Sequence, residues 1–181
     1  MISQHFKKAC SALFRSGDHL PYKKYKNCLD YIAAQWALES GWGRSTLASL
    51  HNNFGGMKYR QSIENEHTKK IVYVDRFGDS DHYFSIDLPE HYYLLYFAFV
   101  GRERYKNVRL DCGFNFVHDL ANCGYVAKMH NRKGEIVPDE RLAEFYAHRV
   151  QEIVLGKTFQ RLLIEIKNGD DELPDWLNLI L

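Results

Sequence analysis

A run of apolar residues at helical spacing stops abruptly at a carboxylate and two glycines, in "YIAAQWALESGWGRS". Leu29, Ile32, Ala33, Trp36 and Ala37 form one apolar face, as a buried helical stripe requires. Leu38 points away from that face, so this helix is expected to be covered on more than one side. A helix placed in that way constrains the chain to a mainly helical body. Pro21 suits a first helical position and Gly41 a C-terminal cap, so the predicted helix runs from Pro21 to about Ser40. Glu39 then falls in its last turn, where the helix dipole and apolar neighbours such as Trp36 and Trp42 disfavour an ionised carboxylate.

The remaining pattern supports the same class. Ile2, Phe6, Ala9, Cys10, Leu13 and Phe14 make a stripe on a first helix ended by Gly17. A short helix is expected around Ser45 to Leu50, with Ser45 as its cap. "HNNFGGMKYR" reads as a loop. Ile71–Val74 and Tyr83–Ile86 have strand composition, with a turn near Gly78 and Asp79, and are expected to pair as a hairpin. Pro89 opens a helix over Glu90 to Val100 that is apolar nearly all round and belongs in the core. Further helices are predicted at Phe114 to Cys123, Asp139 to Leu155 and Lys157 to Lys167. The stripe of the Asp139 helix is Leu142, Phe145, Tyr146, Val150, Ile153 and Val154. The expected fold class is α+β, mainly helical, with one small β-hairpin lobe, and residues 1–181 are read as a single domain.

At 181 residues the chain can bury about 70% of its unfolded surface and needs no covalent staple. Its 24 basic and 23 acidic residues nearly cancel and form no long basic run, so no nucleic-acid partner is expected. The longest apolar run, Tyr92 to Val100, is too short to span a bilayer. The N-terminal stretch lacks the apolar core of a signal peptide. Cys10, Cys28, Cys112 and Cys123 lack zinc-type spacing and read as free thiols, with a Cys112–Cys123 disulfide open if the protein is exported. The nine histidines include no pair four residues apart, so neither a metal nor another cofactor is expected.

A carboxylic acid kept protonated near neutral pH is what general acid catalysis requires, and glycoside hydrolysis needs one beside the leaving oxygen. The plain alternative is a solvated or salt-bridged glutamate next to an ordinary glycine turn. The motif weighs against that alternative. "AAQWALESGWGRS" followed by "NNFGGMK" resembles the signature of the bacterial glucosaminidase family, roughly A-Q-x-A-L-E-(S/T)-G-W-G-x-S and then N-N-x-F-G-(I/M)-K. Ala34, Gln35, Ala37 to Gly43 without exception, Ser45, Asn52, Asn53, Phe54, Gly55, Met57 and Lys58 match, although Phe54 directly follows the asparagines and Gly56 is extra. "GYVAK" at Gly124–Lys128 resembles the family's G-Y-A-T segment less closely, with Val126 and Ala127 in place of Ala and Thr. The resemblance covers about residues 31–154 and leaves 157–181 as a C-terminal extension.

The resemblance implies a lysozyme-like fold with a saccharide cleft between a helical lobe and a β-lobe. It implies hydrolysis of the β-1,4 bond after N-acetylglucosamine in peptidoglycan glycan strands, at the cell wall. Glu39 maps onto the general acid and Tyr125 onto a tyrosine near the catalytic centre, with a core tyrosine as the alternative. Trp42, Asn53, Phe54 and Gly55 are expected to bind substrate. A second carboxylate from the β-lobe is usual, and Asp75, at the end of "KIVYVD", is the leading candidate. Glu64, Glu66, Asp79 and Asp81 are the others, and the sugar's own acetamido group would replace them all. A lytic transglycosylase and a non-catalytic cell-wall-binding or assembly module are the competing readings. "RERYKNVR", Arg102 to Arg109, would either touch anionic peptide stems or lie solvated. The tail Trp176 to Leu181 is expected to dock on this chain, on a partner or on a second copy.

Overall fold

The computed structural model describes residues 2–75, 78–131 and 133–169. The tail Trp176–Leu181 lies outside the described residues. Helix α1 spans Gln4–Ser16 and is capped by Ser3, whose hydroxyl accepts from Phe6 N–H at 3.1 Å. Its stripe of Phe6, Ala9, Cys10, Leu13 and Phe14 is buried. Helix α2 spans Leu29–Ser40 and is buried at eight of its twelve positions, with α6, α5 and α1 packed around it. This is the multi-sided cover that Leu38 and the Trp36 face together required.

Helix α2 begins later than the position of Pro21 predicts. Tyr22–Cys28 is a 3₁₀ turn instead. Tyr22, Tyr25 and Cys28 recur every third residue, which matches the three-residue period of that helix. Tyr25 and Cys28 are buried, and Tyr22 stacks on Phe97 at 4.8 Å. At its other end α2 stops at Gly41, which adopts the left-handed conformation (φ 58°) and donates its N–H to Ala37 O.

Helix α3, Thr46–His51, starts at the Ser45 cap as expected. Strands β1 (Thr68–Val74) and β2 (Ser80–Ile86) pair antiparallel, from Thr68 opposite Ile86 to Val74 opposite Ser80. Phe84 and Ile86 point into the core, whereas Val72 and Val74 near the tip are exposed. The loop before the hairpin is laid onto β2 by Tyr59 N–H to His82 O (2.9 Å) and Phe84 N–H to Met57 O (3.1 Å). A turn at Pro89–His91 leads into α4, Tyr92–Val100. Helices α5 (Gly113–Asn122), α6 (Asp139–Val154) and α7 (Lys157–Gly169) complete the body. Helix α7 packs on α6 and returns to α1, where Lys7 pairs with Glu165. One continuous hydrophobic core runs from Phe6 to Ile166 and includes residues of all seven helices and of β2.

All four cysteines are free, so the Cys112–Cys123 bridge is not formed. Among the described residues no helix is long and apolar enough to cross a membrane.

Candidate active site

Three segments converge on the C-terminal end of α2 and enclose a cleft of about 640 Å³. Glu39 is contributed by α2. The loop after α3 supplies Gly55, Gly56, Met57, Lys58 and Arg60. The end of α4 and the turn beyond it supply Phe99, Arg102, Arg104 and Tyr105, and the segment after α5 supplies residues 124–128. The hairpin backs the first of these walls through the Lys58–Tyr83 bridge.

Glu39 remains open to solvent as a residue, yet protein atoms crowd its carboxyl from most directions. Glu39 thus lies on the floor of a concave cleft, open to water on one side only. That crowding desolvates the carboxylate and raises its pKa above the ordinary glutamate range. A hydrogen bond from Tyr146 Oη to Glu39 Oε1, at 2.7 Å, acts in the opposite direction and fixes the carboxyl's orientation. Tyr146 belongs to the apolar stripe of α6, and the sequence reading placed it there as a core residue. Its buried ring does pack in the core, but its hydroxyl serves the site. A tyrosine rather than a phenylalanine on a buried stripe is the only local signal for this, since a buried hydroxyl needs a partner.

Tyr125 lines the cleft, and its hydroxyl is buried with no hydrogen-bond partner among the described residues. Gly55 allows this arrangement. A Cβ there would lie 2.5 Å from Tyr92 Oη and 3.0 Å from Tyr125 Oη. Gly124 does the same for the opposite wall, because a Cβ on it would overlap the guanidinium of Arg104 at 2.0 Å.

Lys58, Arg60, Arg102, Arg104 and Lys128 line the same cleft as Glu39. Lys58 pairs with Asp81 at 2.7 Å. Arg102 lies over the Phe99 ring at 3.9 Å and donates Nε–H to Phe99 O. Among the described residues no carboxylate stands within ion-pair distance of Arg60, Arg102, Arg104 or Lys128. Residues of the "RERYKNVR" stretch are therefore divided: Arg102 and Arg104 face the cleft, while Arg109 grips Asp119 through two 2.8 Å contacts on α5.

Several residues expected at the cleft stand elsewhere. Phe54 is fully buried, packed edge-on against Phe6 (5.7 Å) and Tyr92 (5.2 Å), and is a core residue. Asn53 is buried and spends its amide on the backbone. It donates to Met57 O and Phe84 O and accepts from Met57 N–H, which fastens the cleft loop to β2. Trp42 packs against Phe6 and Phe159 on the side of α1 and α7, because the left-handed turn at Gly41 and Trp42 sends its ring that way. Gly55 is the one residue of this group that lines the cleft.

Nor does the hairpin aim a carboxylate at Glu39. Asp75 ends the strand at the hairpin tip, where its Oδ1 accepts Asp79 N–H at 3.0 Å and so closes the turn. Glu64 accepts from Tyr59 Oη, Glu66 lies beside His67, and Asp81 is held by Lys58. Strand alternation alone could not show this, because β1 leaves the core before its tip. Glu39 is the only carboxylate lining the cleft among the described residues.

A helical body, a small two-stranded hairpin and a carboxyl at a helix end beside the cleft define a lysozyme-like fold. The chain belongs to the Glucosaminidase family, described as mannosyl-glycoprotein endo-beta-N-acetylglucosaminidase, whose sequence model matches residues 21–157. Two solved structures share the fold. A peptidoglycan hydrolase from Sphingomonas sp. A1 superposes with a TM-score of 0.60 at 18% identity, over 91% of this chain and 95% of that one. A glutamate-to-alanine mutant of peptidoglycan hydrolase from the same source gives a TM-score of 0.62 at 19% identity, over 91% and 97%. No curated protein matches the chain by sequence.

Proposed function

We propose that this chain hydrolyses the β-1,4 bond after N-acetylglucosamine in peptidoglycan, with Glu39 as the general acid. The observation that carries the proposal is a single carboxyl, raised in pKa and oriented by Tyr146, on the floor of a cleft in a Glucosaminidase fold. Membership of the family and the likeness to peptidoglycan hydrolases support the substrate class. The cationic walls support it further, since stem peptides and lactyl groups make peptidoglycan glycan strands anionic.

Glu39 gives its proton to the glycosidic oxygen as the bond to C1 breaks, and the leaving sugar departs as a neutral alcohol. The positive charge growing at C1 needs an electron pair. With no second carboxylate lining the cleft among the described residues, the carbonyl oxygen of the substrate's own acetamido group supplies it and closes a five-membered ring. Substrate-assisted hydrolysis of this type is an established exception to the two-carboxylate scheme. Glu39, now ionised, takes a proton from water as that water attacks C1, and the ring reopens. Tyr125, which lines the cleft, presents its ring to the sugar and helps to orient the acetamido group for attack. A second carboxylate separated from Glu39 by a water layer would predict inversion, whereas acetamido participation predicts retention of the anomeric configuration.

Purified peptidoglycan is incubated with the protein and with Glu39→Gln, and the fragments are read by mass spectrometry. New N-acetylglucosamine reducing ends, absent with the variant, are expected. Anhydro-muramic ends would transfer the reading to a lytic transglycosylase, and binding without cleavage to a non-catalytic cell-wall module.

A further inference from the structure

We propose that His67, Asp87 and His91 form a binding site for a divalent transition cation of the zinc class, away from the cleft, at the root of the hairpin. These residues come from three places: His67 just before β1, Asp87 just after β2, and His91 in the turn that leads into α4. One ligand atom from each lies within 4.8 Å of the others. His67 Nδ1 is 3.2 Å from Asp87 Oδ2, and His91 Nδ1 is 2.8 Å from Asp87 Oδ1. Tetrahedral zinc with bonds of about 2.0–2.1 Å separates its ligand atoms by about 3.3 Å. Ligand atoms already within 4.8 Å of one another reach that spacing by side-chain adjustments of about 1.5 Å or less.

The fold has already met the ordering cost of the site. Asp87 N–H donates to His67 O at 3.0 Å, which ties two of the three ligands together through the backbone. Leu88 N–H donates to Asp87 Oδ1 and holds the carboxylate's rotamer. The two imidazoles lie side by side, tilted by 34° with ring centroids 3.8 Å apart. The outward Nε2 of His67 is 3.5 Å from a Glu66 carboxylate oxygen. Such outer carboxylates orient metal-bound imidazoles and raise their basicity. The Asp87 side chain is 43% exposed, which leaves an open side for a water as fourth ligand and for exchange with solution. Two imidazoles and a carboxylate suit zinc, and also copper or nickel, rather than magnesium or calcium. A bound ion would clamp the hairpin to α4 and hold the Met57–Tyr59 wall of the cleft through β2.

The test uses the intact protein stripped with a chelator and titrated with Zn²⁺ alone. One ion per chain is expected, together with a rise in melting temperature. His67→Gln and His91→Gln should each weaken binding by at least about 100-fold, the upper end of what losing a mere supporting contact costs. Circular dichroism and the metal-free melting temperature establish that each variant is folded. Should a variant fail to fold, the wild type decides. Cobalt substitution is expected to give a visible spectrum of nitrogen and oxygen ligation, and zinc should shift the ring nitrogen resonances of both histidines. No binding, equal binding by the doubly substituted variant, or a cobalt-thiolate charge-transfer band from Cys112 or Cys123 would overturn the proposal.

Discussion

Replacing Gly55 by alanine tests whether the floor of the cleft is as tightly packed as its geometry requires. The new Cβ would stand 2.5 Å from Tyr92 Oη, about 1 Å inside the ~3.5 Å at which carbon contacts become attractive. It would also press on Tyr125 Oη at 3.0 Å. Neither ring retreats freely. Tyr92 is fully buried and wedged against Trp36 at 4.7 Å and Phe54 at 5.2 Å. Overpacking of this kind costs about 1–3 kcal/mol. For a chain of this size each kcal/mol lowers the melting temperature by about 2–4 °C, so calorimetry should show a clear fall. Turnover of peptidoglycan should fall with it, because Tyr125 is displaced. Tyr92→Phe removes the closer oxygen, so the double variant Gly55→Ala/Tyr92→Phe should be less destabilised than the two single effects predict. Gly56→Ala is the control. Nothing lies within 4 Å of its Cβ, and only its left-handed backbone (φ 59°) is penalised, by about 1–2 kcal/mol. Wild-type stability in Gly55→Ala, or strict additivity in the double variant, would refute the steric argument.

Glu39→Gln should abolish turnover yet stabilise the fold at neutral pH. The folded state raises the Glu39 pKa, so it penalises the ionised form. That penalty is absent below the ordinary glutamate value of about 4.3 and grows as pH rises through the higher folded value. The gain should therefore vanish in acid, and denaturant titrations that show it undiminished there would reject this origin. Tyr146→Phe removes the bond that favours the carboxylate, so the alkaline limb of the pH–rate profile should move upward; a downward move would mean Tyr146 stabilises the acid form instead. Arg102→Gln/Arg104→Gln/Lys128→Gln should raise KM for peptidoglycan while leaving any cleavage of uncharged N-acetylglucosamine oligomers unchanged. Equal effects on both substrates would show that these cations shape the cleft rather than read charge.

Local chemistry written in the sequence determined which segments are helical and where Glu39 sits. A left-handed glycine ends α2 directly after Glu39-Ser40, so the acid's place in the last turn follows from spacing alone. The hairpin followed from strand composition on either side of a turn, and the seven-residue strands extend that reading outward. Tyr22, Tyr25 and Cys28 show the limit of such reading, because a three-residue apolar period carries a weak signal beside a favourable proline.

Tertiary structure alone decided what faces what. The motif residues Trp42, Asn53 and Phe54 pack into the corner beside Glu39 rather than line the cleft. A sequence motif records necessity without distinguishing packing from contact. Tyr146 reaches Glu39 across 107 residues of chain, and His67 meets Asp87 across 20. No periodicity encodes such meetings, since they depend on how α6 crosses α2 and how the hairpin root meets α4. The identity of the acid is local, fixed by a helix end, whereas its elevated pKa, its partner and the cations around it arise only where distant segments exclude water together.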